Sequence, residues 1–447
     1  MITLEKASKP LTGQVFVPGD KSISHRSIMF GALAEGSSEI TGFLNSADCQ
    51  STIECFRKMG VVIEHAQRPM NGVPIITVHG KGLHGLQAPT STLYTGNSGT
   101  TTRLMAGILS AQPFESTITG DASIEKRPMD RIITPLSQMG ADIQSLRGNN
   151  CCPLHIKGNP NLRGITYRSP VASAQVKSSI ILAGLYAEGD TVVHEPAISR
   201  NHTEKMLHAF GADIYNEMDV NGAGTAVLHP GVPLRGIRIN VPGDISSAAY
   251  FIAAAILVPG SELIIRNVGI NRTRSGFLSV LEQMGANIEL TNIDDSMEPR
   301  ADIVVKHSAL HGGNNGKFEI GGRTIPTLID ELPMIAVLAA TANFETVIKD
   351  AAELKVKESN RIDTVVENLK AMGCDIEATD DGMIIRGGKP LKGADIDAHM
   401  DHRIAMSFAI ASLVAEGTTR IIDDQCVGIS YPTFFKDLQN LINSYAF

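Results

Sequence analysis

The strongest constraint on this chain is that it repeats itself. One phrase, a helix end turning through glycine into a strand, is written five times. The copies are Met59-Gly60-Val61-Val62-Ile63, Met139-Gly140-Ala141-Asp142-Ile143, Phe210-Gly211-Ala212-Asp213-Ile214, Met284-Gly285-Ala286-Asn287-Ile288 and Met372-Gly373-Cys374-Asp375-Ile376. Glycine suits the residue after a helix, where φ becomes positive and a side chain would be strained. A second phrase, a polar capping residue before a long apolar helix, has six copies, at Asp20, Asn97, Ser173, Asp244, Asp330 and Asp401. Helices such as 246–258, 333–342 and 404–414 are apolar around most of their circumference and so belong inside the protein. Each unit reads as two helices plus short Val/Ile-rich strands, of which Ile237-Arg238-Ile239-Asn240-Val241 is one.

Units of about 75 residues are too long for ankyrin or tetratricopeptide arrays. At 447 residues the chain also exceeds what one core supports, so the six units divide as three plus three. This predicts an α/β protein of two pseudo-threefold domains, one spanning 14–233 and the other 1–13 with 234–447. Gly231-Val232-Pro233-Leu234-Arg235-Gly236 is the expected hinge, and the similar Lys9-Pro10-Leu11-Thr12-Gly13 marks the other crossover.

Charge and composition narrow the function. The formal charge is −8, from 47 acidic and 39 basic residues, which argues against a nucleic-acid partner. The start Met1-Ile2-Thr3-Leu4-Glu5-Lys6 lacks a signal-peptide core, and the longest apolar run, 250–259, is too short for a bilayer. A cytoplasmic protein without a membrane partner is therefore expected. Cys49, Cys55, Cys151, Cys152, Cys374 and Cys426 show neither paired metal spacing nor a disulfide framework, so free thiols and no metal are expected.

Against that acidic background the helix starts are basic. They include Asp20-Lys21-Ser22-Ile23-Ser24-His25-Arg26, Lys126-Arg127-Pro128-Met129-Asp130-Arg131, Ser199-Arg200-Asn201-His202, Asn271-Arg272-Thr273-Arg274, Lys355-Val356-Lys357-Glu358-Ser359-Asn360-Arg361 and Asp401-His402-Arg403. A cation there opposes the helix dipole, a cost accepted repeatedly only if cations and free N–H groups face bound anions. Arg127 and Arg131 are expected on one helix face, four residues apart. The loop Thr95-Gly96-Asn97-Ser98-Gly99-Thr100 is small enough to let backbone approach an anion, but it is not a P-loop.

Five of these segments, in order, carry a family resemblance. Pro18-Gly19-Asp20-Lys21-Ser22-Ile23-Ser24-His25-Arg26, Gly96-Asn97-Ser98-Gly99-Thr100, Arg127-Pro128-Met129, Lys357-Glu358-Ser359-Asn360-Arg361 and Asp401-His402-Arg403 resemble the signatures of the 5-enolpyruvylshikimate-3-phosphate synthases. The resemblance implies two domains of three βαβαββ units each, an inside-out barrel, with the active site in the cleft between them. It implies transfer of the enolpyruvyl group of phosphoenolpyruvate to the 5-hydroxyl of shikimate 3-phosphate, with neither metal nor organic cofactor, in a monomer. By the same similarity Lys21, Ser22, Arg26, Ser173, Gln175, Arg200, Asp330 and Lys357 hold shikimate 3-phosphate. Lys21, Gly99, Arg127, Gln175, Arg361 and Arg403 hold phosphoenolpyruvate. Asp330 is the expected base at the hydroxyl, Glu358 the group moving a proton at C3, and Lys21 a cation shared by both substrates. The plainer roles are a helix N-cap for Asp330 and an ion-pair partner of Arg361 for Glu358.

Three positions depart from the family pattern: Ala174 for a serine, Ile429 for a lysine near the carboxy terminus, and Glu353 for an asparagine. Two alternatives carry different expectations. The sister enzyme acting on UDP-N-acetylglucosamine typically has a Gly-Ala-Lys-Asn start and a loop cysteine, both missing here. A non-catalytic scaffold binding acidic partners would not need Asp330 and Glu358 beside the cations.

Overall fold

The computed structural model describes residues 1–67, 74–220, 222–313 and 316–443. They form two compact α/β units, Gly19–Val241 and the discontinuous Met1–Pro18 with Pro242–Phe447. The described strands make six sheets, three per unit, five of them four-stranded with one shared pattern. In the sheet built on Thr191–Glu195, for example, this strand runs parallel to Thr166–Arg168 and antiparallel to Gly224–His229, which pairs antiparallel with Asp213–Met218. A helix precedes the edge strand on the antiparallel side of each such sheet, and the five repeated glycines end those helices with φ between 79° and 100°. The sixth sheet pairs Asp395–Asp397 parallel to Thr419–Ile422, and its antiparallel partner is the amino-terminal strand Ile2–Leu4. One repeated phrase thus has five copies and the other six because the first residues of the chain complete the last unit.

The crossovers lie later than the sequence pattern places them. Strand Thr12–Phe16 pairs parallel with Glu262–Gly269, so it belongs with the carboxy-terminal residues. Strand Arg238–Asn240 pairs parallel with Ser37–Thr41, so it stays with Gly19–Val241. The connections are therefore Pro18–Gly19 and Val241–Pro242 rather than 13–14 and 233–234. Turn-forming residues gave the expected boundary, whereas strand pairing decides the actual one.

In the discontinuous unit, helices Ile245–Leu257, Leu332–Thr341 and His402–Ser412 are buried almost throughout and pack on one another inside a single apolar cluster. In the other unit Lys21–Leu33, Gly99–Ser110 and Ala174–Gly184 occupy the corresponding buried positions. Gly107 makes the last two meet closely, since a Cβ there would lie 2.1 Å from the Ser179 carbonyl oxygen. That contact fixes the helices whose first turns carry Arg103 and Gln175. No single described helix is long and apolar enough to cross a membrane, and the apolar pair Gly322–Leu328 and Leu332–Thr341 is bent by 109°.

Candidate active site

In Gly19–Val241 Arg26 and Arg103 donate to neutral groups, whereas Lys21 pairs with a carboxylate. Asp20 caps helix Lys21–Leu33 by accepting from the Ile23 N–H, so a carboxylate offsets the cations of the first turns. Lys21 Nζ lies 3.1 Å from Asp48. Arg26, 2% exposed, donates to Thr203 Oγ1 (2.7 Å), Ser178 Oγ (2.9 Å) and the Ser22 carbonyl (2.9 Å). Burial, then Lys21 and Arg26, hold His25 well below its usual pKa, so it is neutral. Its Nδ1 joins a string of hydroxyls: Thr52 at 2.7 Å, Thr101 2.8 Å further and Ser98 2.7 Å beyond that. Ser98, not Asn97, caps helix Gly99–Ser110, because its side chain accepts from the Thr101 N–H.

Around Gly99 the guanidinium groups converge. A Cβ on this residue would lie 3.3 Å from Nη1 of both Arg103 and Arg127. Arg103 Nη1 donates to Gln175 Oε1, and the Gln175 amide donates to Thr100 Oγ1 at 3.2 Å. Arg127 lies ahead of helix Asp130–Gln138, so it does not share a helix face with Arg131. Ser173 caps helix Ala174–Gly184, and Arg200 stands two residues before helix His202–Ala209.

In the discontinuous unit the cations are held by carboxylates. Asp330 has Arg361 at 3.2 Å, Arg403 at 3.7 Å, Lys357 at 3.8 Å and Arg274 at 4.0 Å. Arg361 also binds Glu358 at 2.6 Å and Asp401 at 2.8 Å. Burial works against the charge of Arg361, but Asp401, Glu358 and Asp330 outweigh it, and its pKa is raised. Burial likewise works against the Asp401 carboxylate, yet Arg361 holds it below the usual carboxylate range. Asp401 at the same time caps helix His402–Ser412 through the Arg403 N–H at 2.9 Å. Beside this group, Arg274 binds Asp244 at 3.0 Å and Ser246 at 2.9 Å, and Ser246 donates to Glu331. Asp330 is not the N-cap of helix Leu332–Thr341; Glu331 occupies that position, without a side-chain cap bond.

The structure therefore gathers Asp330, Lys357, Glu358, Arg361 and Arg403 in one cluster, and Gly99, Arg127 and Gln175 in another. It also shows what the sequence reading left out. Arg103 lies three residues past the small-residue loop and was not singled out in the sequence. Arg274 was one of several basic residues near a helix start, and Asp401 was a cap without its ion pair. Ala174 opens its helix with no hydroxyl, Ile429 packs against the apolar cluster, and Glu353 pairs with Lys357 at 3.4 Å. The six cysteines are free and buried. Burial pushes the Cys49, Cys55, Cys152 and Cys426 thiols up to about 12 and Cys374 to about 11, which removes their nucleophilicity near neutral pH.

A family model described as EPSP synthase (3-phosphoshikimate 1-carboxyvinyltransferase) matches residues 5–438. The chain belongs to this family. A relative named 3-phosphoshikimate 1-carboxyvinyltransferase from Bacillus velezensis is 54% identical over 433 residues, 96% of this chain and 97% of its own. One of the same name from Bacillus cereus is 53% identical over 440 residues, 98% of this chain and 99% of its own. The solved EPSP synthase of Acinetobacter baumannii is 46% identical, superposes with a TM-score of 0.85, and is matched over 98% of this chain and 97% of that one.

Proposed function

We infer that this enzyme transfers the enolpyruvyl group of phosphoenolpyruvate to the 5-hydroxyl of shikimate 3-phosphate and releases phosphate. The reaction belongs to the shikimate route to chorismate and the aromatic amino acids. The observation that carries the assignment of chemistry is the Asp330 carboxylate, surrounded within 4.0 Å by Lys357, Arg361, Arg403 and Arg274, with Glu358 on Arg361.

In this assignment Asp330 takes the proton of the 5-hydroxyl as its oxygen attacks C2 of phosphoenolpyruvate, and Glu358 moves the proton that C3 gains. The tetrahedral adduct then loses phosphate and one C3 proton, which gives the enol ether. Each proton step needs a positioned side chain, worth about 100- to 10,000-fold in rate. Lys21, Gly99, Arg127, Gln175, Arg361 and Arg403 hold phosphoenolpyruvate, whose carboxylate and phosphate suit guanidinium forks. Lys21, Ser22, Arg26, Ser173, Gln175, Arg200, Asp330 and Lys357 hold the acceptor. Shared lysines are supported by reach and charge: Lys21 and Lys357 are half-buried ammonium groups on helix-start segments of the two units.

Phosphate release from phosphoenolpyruvate and shikimate 3-phosphate tests the reaction, with UDP-N-acetylglucosamine as the control acceptor. Release with the sugar nucleotide alone would overturn it. The enzyme is further assigned to the cytoplasm, since its substrates are multiply charged and do not cross bilayers unaided, and it is assigned as a monomer. Cell fractionation and sedimentation velocity test those two points.

A further inference from the structure

Behind the acceptor residues of Gly19–Val241 lies a buried ionic triad to which the chemistry above gives no role. Lys177 Nζ sits 2.8 Å from Glu195 and 2.9 Å from Glu204, and the three side chains are 4%, 1% and 2% exposed. Burial works against the lysine charge, but Glu204 and Glu195 outweigh it and keep Lys177 protonated. Such a cluster is a poor stabilising device, because apolar replacements of buried ion pairs are often neutral or better. Its geometry points to another use.

Glu195, the last residue of strand Thr191–Glu195, binds two different loops with its two oxygens. Oε1 accepts from the Ser173 N–H at 2.9 Å. Oε2 accepts from the Ser199 hydroxyl at 2.9 Å and, more weakly, from the Ser199 N–H at 3.4 Å. Ser173 opens the helix that carries Gln175, and Ser199 directly precedes Arg200. The carboxylate thus spans the two segments assigned to the acceptor, while Lys177 fixes it from the side at Oε2. Glu204 also touches Lys177, but none of its described bonds reaches either loop.

We propose that Glu195 is a positioning residue for acceptor binding, setting the spacing of the Ser173–Gln175 and Ser199–Arg200 segments through its two carboxylate oxygens. This rests on the assignment of Gln175 and Arg200 to shikimate 3-phosphate. Glu195→Gln replaces one accepting oxygen by an NH2 group, which accepts nothing; with the remaining oxygen kept on Lys177 and Ser199, the NH2 faces the Ser173 N–H and the link to that loop is lost. The KM for shikimate 3-phosphate should rise about tenfold, the scale of one charge-assisted hydrogen bond. The KM for phosphoenolpyruvate should rise less than that for shikimate 3-phosphate, because Gln175 alone of its assigned residues lies on a linked segment, and kcat should stay within about threefold of wild type. Glu204→Gln removes a carboxylate from the same triad and should leave the acceptor KM within about threefold, even if the protein melts earlier.

Gln175→Ala and Arg200→Ala, assayed alongside, separate the two layers of the reading. If they raise the acceptor KM and folded Glu195→Gln does not, the positioning role is wrong and the acceptor assignment stands. If no variant moves that KM, both are wrong. An equal rise in Glu204→Gln would show a merely structural triad and also overturn the proposal. Should Glu195→Gln fail to fold, Ser199→Ala tests the carboxylate's other link with every charge in place. It should raise the acceptor KM about threefold, and an unchanged value would overturn the proposal.

Discussion

The two units hold several of their arginines differently, although Lys21 and Lys177 of Gly19–Val241 are paired with carboxylates. In Gly19–Val241 the guanidinium of Arg26 rests on two hydroxyls and a carbonyl, and that of Arg103 on an amide oxygen and the Pro128 carbonyl. In the discontinuous unit Arg274, Lys357, Arg361 and Arg403 rest on Asp244, Asp330, Glu331, Glu353, Glu358 and Asp401. Neutral partners fix a guanidinium without cancelling its charge, which favours recognition of an anion. Carboxylate partners cancel the charge but bring proton-accepting groups beside it, which favours chemistry. On the proposed residue roles, one fold written twice supplies a binding half and a reacting half.

The comparison breaks most directly at Asp330. Asp330→Asn keeps a polar side chain among the cations but cannot accept the hydroxyl proton. Turnover should fall about 100- to 10,000-fold while the acceptor still binds, as read by phosphate release and by calorimetric titration. Normal turnover in a folded variant would move the base elsewhere, with Glu358 next. Lys21→Met tests the binding half: it removes a cation shared by both substrates, and turnover should drop at least about 100-fold. A loss below threefold would take Lys21 out of the site.

A third prediction concerns stability in the reacting half. Asp401→Asn keeps the helix cap but deprives buried Arg361 of one carboxylate, while Glu358 and Asp330 remain. Urea denaturation at neutral pH should show a loss of about 2 kcal/mol. Because the Asp401 carboxyl is held low, its contribution is complete above the unfolded value near 4 and disappears as pH falls through the lower folded value. Wild type should therefore lose stability more steeply than Asp401→Asn below about pH 4, and parallel acid limbs would refute this. The smallest effect is expected at Gly99→Ala. The new methyl meets the ends of two arginines, which can yield by a few tenths of an ångström. The KM for phosphoenolpyruvate should rise roughly fivefold with the melting temperature unchanged, whereas a stability loss would mean that the arginines cannot move.

Much of this organisation was legible in the residues. The positive-φ glycines and the caps at Asp20, Ser173, Asp244 and Asp401 stand where their spacing put them, because local backbone rules act over a few residues. The exchange of Thr12–Phe16 and Arg238–Asn240 between sheets was not legible, because pairing partners lie about 200 or more residues apart. The basic helix starts were visible, but their partners were not. Asp401 reaches Arg361 across 40 residues, and Glu195 reaches Ser173 across 22. Asp330 read as a cap because an acid before an apolar helix usually is one. The helix begins one residue later than that role requires, and the carboxylate turns to the cations.

The pairing of Ile2–Leu4 with Thr419–Ile422 has a consequence for how the protein is made. Gly19–Val241 is continuous, so it can fold once its last strand has left the ribosome. The other unit cannot close its sixth sheet until residue 422 has been translated, 181 positions after residue 241. At about 5–20 residues per second, that is a wait of roughly 10–35 s. During it, Ile2–Leu4 waits for a partner not yet synthesised, while Thr12–Phe16 can pair as soon as Glu262–Gly269 has emerged. These short strands, with Lys6, Lys9 and Pro10 between them, are poor templates for mispairing in that interval.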